Sequence, residues 1–216
     1  MRRVSYFVLV FSLVIAGFAG VSFAFMGMRM TTFADVPQTH FAFTQIEAIA
    51  WRGITGGCQW DDPQTPENEA LFGPDATLTR AQMAVFLVTS LGQSPAPWTG
   101  QFADVSIGYP FCGFVEQLAA NGITGGCGDG RFCPDDPITR GQMSVFLEAA
   151  LGHSLNSCMG RFADGPGSHP FCGFIERLAD DGITGGCIPG AFCPNNPVTR
   201  AEMAVFLVAA PLPLIP

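Results

Sequence analysis

The stretch GITGGCGDGRFCPDDPITRGQM, residues 122–143, and the stretch GITGGCIPGAFCPNNPVTRAEM, residues 182–203, follow one plan. A third copy starts with Gly-Ile-Thr-Gly-Gly-Cys at Gly53, carries nine extra residues between Cys58 and Phe72, and resumes with Phe72-Gly-Pro and Thr79-Arg80-Ala-Gln82. Working outward, each copy is preceded by a Phe-Ala-Asp triplet that begins at Phe33, Phe102 or Phe162. Self-similarity at a spacing of about 60 residues means that each unit is a supersecondary piece unable to bury its own apolar face, so the units must stack.

Between the triplet and the glycine-rich loop each unit carries a first helix. Its apolar positions, Ile46 and Ile49, Val115 and Leu118, Ile175 and Leu178, are spaced three apart and share one face. It ends at Gly53, Gly122 and Gly182, where glycine can adopt the left-handed conformation that closes a helix. Thr79-x-x-Gln82, Thr139-x-x-Gln142 and Thr199-x-x-Glu202 are capping boxes that start a second helix. Its stripe of Met83, Phe86 and Leu87, with Met143, Phe146, Leu147 and Met203, Phe206, Leu207, predicts core. The expected fold is mainly α: three helix-loop-helix repeats whose second helices meet about a pseudo-threefold axis. The expected boundaries are repeat one at 25–93, repeat two at 94–153 and repeat three at 154–216, together forming one domain.

Residues 1–24 read as a signal peptide, with Arg2 and Arg3 before an apolar run from Val4 to Phe25. The run is also near the length of a bilayer span, so a retained membrane anchor through residues 4–25 is the alternative. Both readings put the remainder outside the cytoplasm. Lys and Arg number 10 against 18 Asp and Glu, for a net charge of −8, which argues against a grip on nucleic acid phosphates. Eight cysteines in an exported chain point to disulfides. Cys127 with Cys133 and Cys187 with Cys193 each bracket a Gly/Pro-rich loop, and so small a ring contributes only about 2 kcal/mol. Cys58, Cys112, Cys158 and Cys172 allow three connectivities; pairing Cys158 with Cys172 inside repeat three leaves Cys58 to reach Cys112. Neither close pair has zinc-knuckle spacing or a nearby histidine, and the acidic insertion of repeat one, with Asp61, Asp62, Glu67 and Glu69, matches no calcium loop. No metal or cofactor is expected.

Arg80, Arg140 and Arg200 take the first helical position, where the helix dipole disfavours a cation. Repeated three times, this suggests an anion that meets both the guanidinium and the exposed amides. Either a ligand supplies it from an open cleft, or Asp35, Asp104 and Asp164 supply it internally.

In its order of Phe-x-Asp, helix, Gly-Ile-Thr-x-Gly, Phe-x-Pro and Thr-Arg-Ala-Glu, the chain resembles the S-layer homology domain over residues 33–209, with Gln82 and Gln142 replacing the glutamate in two copies and Gly141 replacing alanine in one. The resemblance implies a three-pronged spindle around a central three-helix bundle. It also implies anchoring to the cell wall or cell surface by binding a pyruvylated secondary cell wall polysaccharide in grooves between the prongs. In that family the arginine of the Thr-Arg step contacts the ligand carboxylate, so ligand-binding roles are implied for Arg80, Arg140 and Arg200, facing outward into the clefts, and more weakly for Asp35, Asp104 and Asp164. The competing reading is a structural or protein-interaction module without a glycan, in which the arginines only tie repeats together. Catalysis is not expected: His40 and His169 share a repeat position with Tyr109, His153 stands alone between repeats, and no nucleophile–base set can be assembled. The glycan, the oligomeric state and the cargo are not specified by sequence.

Overall fold

Six helices and no strands make up the described residues of the computed structural model, which are 32–58, 70–155, 157–165 and 167–212. The candidate signal peptide or anchor and the acidic insertion lie outside them. Each repeat contributes a short first helix, α1 (Phe43–Trp51), α3 (Cys112–Ala120) or α5 (Cys172–Asp180), and a second helix, α2 (Arg80–Ser90), α4 (Arg140–Leu151) or α6 (Arg200–Ala209). The capping boxes form in full. Thr79, Thr139 and Thr199 accept from the amides of residues 82, 142 and 202, and the side chains there accept from the threonine amides in return. The left-handed glycine after each first helix is present too, with φ of 68° at Gly53, 70° at Gly122 and 73° at Gly182.

Met83, Leu87, Met143, Leu147, Met203 and Leu207 are fully buried, so the stripes are core. Neighbouring repeats pack cyclically: α2 on α3, α4 on α5, and α6 on α1. Three backbone hydrogen bonds follow the same cycle, from Leu78 N to the Val198 carbonyl (2.8 Å), from Val198 N to Ile138 (2.9 Å) and from Ile138 N to Leu78 (3.0 Å). Each residue both donates and accepts, so the ring closes without an unpaired amide edge. Among the described residues no helix is long and apolar enough to cross a membrane.

The glycine-rich loop is held against the Phe-x-Pro turn by close backbone approach. Gly126 has φ of 97°, and a Cβ there would lie 2.3 Å from the Arg131 carbonyl oxygen. Gly57 and Gly186 are under the same constraint, so each loop needs glycine at this point. Disulfides Cys127–Cys133 and Cys187–Cys193 close these loops as expected, and Cys158–Cys172 forms within repeat three. Of the connectivities the sequence leaves open for the other four cysteines, the one joining Cys58 to Cys112 does not form.

Candidate anion-binding grooves

Arg80, Arg140 and Arg200 do not face outward as expected; they are only 5%, 4% and 6% exposed. Each guanidinium lies against two phenylalanine rings of the next repeat in the cycle. Arg80 stands 4.9 Å from the Phe132 centroid and 5.3 Å from Phe146, Arg140 stands 5.0 and 5.2 Å from Phe192 and Phe206, and Arg200 stands 4.8 and 5.5 Å from Phe72 and Phe86. The Nε atoms donate to the carbonyls of Phe132 (2.8 Å), Phe192 (2.9 Å) and Phe72 (2.7 Å). Burial pulls all three guanidiniums below the ordinary arginine range. Asp136 and Asp104 oppose this at Arg80, Glu202 and Asp164 at Arg140, and Cys58 and Asp35 at Arg200. These contacts tie repeat to repeat.

Asp35, Asp104 and Asp164 neither pair with the arginines nor line the grooves described below. Each carboxylate accepts from two successive amides of its own Phe-x-Pro turn: Asp35 from Phe72 and Gly73 (2.8 and 2.6 Å), Asp104 from Phe132 and Cys133 (both 2.8 Å), and Asp164 from Phe192 and Cys193 (2.8 and 2.7 Å). Burial works to raise the Asp104 and Asp164 carboxyls, but the turn amides, together with each residue's own amide and a nearby basic side chain, hold both below the usual carboxylate range. Phe132 thus links Asp104, which takes its N–H, to Arg80, which donates to its carbonyl. The same relay runs through Phe192 and Phe72. A second set of carboxylates, to which sequence assigned no role, clamps the segment before each triplet: Glu47 accepts from Thr32, Glu116 from Thr99, Gly100 and Gln101, and Glu176 from Met159 and Arg161. The 15–17-residue separations hide these contacts from local pattern reading.

Although buried, each arginine contributes to the floor of a groove. One of about 310 Å³ is lined by Arg80, the loop Ile123–Cys127, Gln142 and Phe171. Equivalent grooves of about 240 Å³ hold Arg140 with Glu202 and Phe41, and Arg200 with Gln82 and Phe111. Gly141, where the other copies have alanine, makes room for the Phe171 rim: an added Cβ would sit 2.8 Å from that ring.

The grooves differ at the capping-box position. Glu202 uses Oε2 to accept from the Thr199 amide at 2.9 Å and Oε1 to accept from Arg140 Nη1 at 3.2 Å, so this guanidinium has a carboxylate partner. Gln142 uses its only side-chain oxygen on the Thr139 amide at 3.2 Å, and its remaining group is a donor. Arg80 Nη2 is buried without a hydrogen-bond partner. Gln82 is committed in the same way to Thr79 beside Arg200.

Parts of the chain are similar to bacterial proteins named for the cell surface or surface layer, and to an enzyme. A "Cell surface protein" of Thermoanaerobacter kivui is 33% identical over 117 residues, 52% of this chain and 15% of the relative. A "Surface layer protein" of Brevibacillus choshinensis is 30% identical over 100 residues, 44% of this chain and 9% of the relative. An "Amylopullulanase" of Thermoanaerobacterium thermosulfurigenes is 27% identical over 183 residues, 82% of this chain and 9% of the relative. The chain therefore spans only a small part of the length of these relatives. The sequence model of the S-layer homology domain matches residues 101–144 and 161–204, which identifies these two segments as S-layer homology repeats.

Proposed function

We propose that the chain is a non-catalytic anchoring module at the cell wall or cell surface. It holds an anionic, pyruvylated secondary cell wall polysaccharide in grooves between repeats, with residues 25–93 acting as a third S-layer homology repeat. One observation carries the reading: Arg80 presents a buried, unpartnered guanidinium nitrogen at a groove of about 310 Å³, where the capping residue offers no carboxylate. A buried cation without an anion is costly, and a ligand carboxylate at the groove floor removes that cost through a charge-assisted bond. The Phe171 and Phe111 rims supply apolar rings for the sugar to pack on. Arg80 and Arg200 are the principal contacts, Arg140 the weakest because Glu202 already pairs with it, and Asp35, Asp104 and Asp164 act indirectly by fixing the turns that receive the arginines.

Calorimetric titration of the oxidised protein with cell wall polysaccharide, before and after mild acid removal of its pyruvate ketals, tests this. Saturable binding is expected only with the ketals in place; equal binding of both preparations, or of neither, overturns it. The second reading, a structural module in which the arginines only join repeats, is favoured by their burial and their links to the next repeat. It predicts no binding of either polysaccharide.

A further inference from the structure

The α2–α3 junction and the α4–α5 junction occupy equivalent places but are built from different chemistry. At the first, Val88 is apolar core, Asn121 donates to Gln93 at 2.6 Å, and Gln117 donates to Asn121 at 3.0 Å. Neutral groups therefore suffice to pack a second helix on the next first helix. At the second, the four corresponding positions are Glu148, His153, Asp181 and Arg177. Glu148 is 1% exposed. Gly152 turns left-handed at the end of α4, and the His153 amide donates back to the Glu148 carbonyl, which folds the imidazole over the buried carboxylate.

His153 Nδ1 lies 3.0 Å from Glu148 Oε2 and 3.0 Å from Asp181 Oδ2. One ring nitrogen carries at most one proton, so it cannot give each oxygen a full hydrogen bond. Glu148 Oε1 is buried with no partner, while Arg177 reaches Asp181 at 2.8 Å from the exposed side. One ligand atom from each of Glu148, His153 and Asp181 lies within 4.8 Å of the others. We propose that Glu148, His153 and Asp181 form a divalent transition-metal site, zinc-like in its ligand chemistry, that fastens repeat two to repeat three. One imidazole and two carboxylates suit zinc or its first-row neighbours, whereas calcium prefers six or more oxygens. Such an ion takes the nitrogen lone pair, gives both carboxylates a common partner and brings a counter-charge to the buried Glu148. Sequence could not show this site, because Asp181 lies 33 and 28 residues from its partners.

The test titrates the full oxidised chain, stripped of metal with EDTA, with Co²⁺. Visible d–d absorption should saturate at one equivalent, Zn²⁺ should displace the Co²⁺, and Zn²⁺ should raise the melting temperature. His153→Gln should weaken binding at least tenfold. The triple variant Glu148→Val, His153→Gln, Asp181→Asn carries three of the four neutral residues of the α2–α3 junction, keeping Arg177 at the part-exposed fourth position, and so should fold; it should lose both the absorption and the Zn²⁺-dependent stabilisation. Absence of saturable binding in the wild-type chain overturns the site and leaves His153 as a proton-sharing group. Unchanged binding in the triple variant, as thiols or the other histidines would give, overturns it equally.

Discussion

The grooves at Arg140 and Arg80 share a fold, a loop and an arginine stacked on phenylalanine, yet one is electrostatically complete and the other is not. The difference comes down to Glu202 against Gln142. In both, one side-chain oxygen caps the helix; only the carboxylate has a second oxygen for the neighbouring guanidinium. A substitution conservative for helix capping is thus decisive for the groove, because capping asks for one acceptor and neutralising arginine asks for another.

The largest expected effect attacks what the grooves have in common. Arg80→Ala removes the hydrogen bond to Phe132 and the filling between two rings, and should cost about 3 kcal/mol in thermal or urea unfolding. Arg140→Ala should cost a similar amount, and a negligible loss in both would break the claim that these arginines join repeats. Asp104→Asn comes next. One oxygen that accepts from Phe132 or Cys133 gives way to a donor, at about 2 kcal/mol at neutral pH. Because the folded carboxyl is held below its unfolded value, its contribution is fully present above the ordinary Asp range and fades as pH falls through the folded value. Unfolding free energies of variant and wild type should therefore converge on acidification. Replacing Cys127 and Cys133 by serine should cost about 2 kcal/mol or less, read as a small drop in melting temperature. The last variant sharpens the contrast: Glu202→Gln keeps the cap but removes the carboxylate partner of Arg140, whose Nε stays bonded to Phe192, so polysaccharide affinity should rise a few-fold.

Much of the fold was legible because its signals are local. Thr79, Thr139 and Thr199 cap amides three residues away, glycines 53, 122 and 182 close the first helices, and the close cysteine pairs bridge a separation of 6. The site was legible only in part. The positions of the arginines stood out, but their burial depends on rings in another repeat, reached through Nε bonds spanning 52 residues or more. The aspartates were read as internal partners for the arginines or, through the family resemblance, as groove residues; the amides they clamp lie 28–38 residues on. His153, read as isolated, meets Asp181 only because α4 packs on α5.

The central claim is that a missing carboxylate leaves Arg80 and Arg200 available to an anionic ligand. Calorimetric titration of pyruvylated cell wall polysaccharide into the double variant Gln82→Glu, Gln142→Glu tests it most directly, since glutamate already serves at this helix position in α6. The account predicts an unchanged or raised melting temperature with affinity reduced at least about tenfold. Wild-type affinity in a stably folded double variant would contradict it.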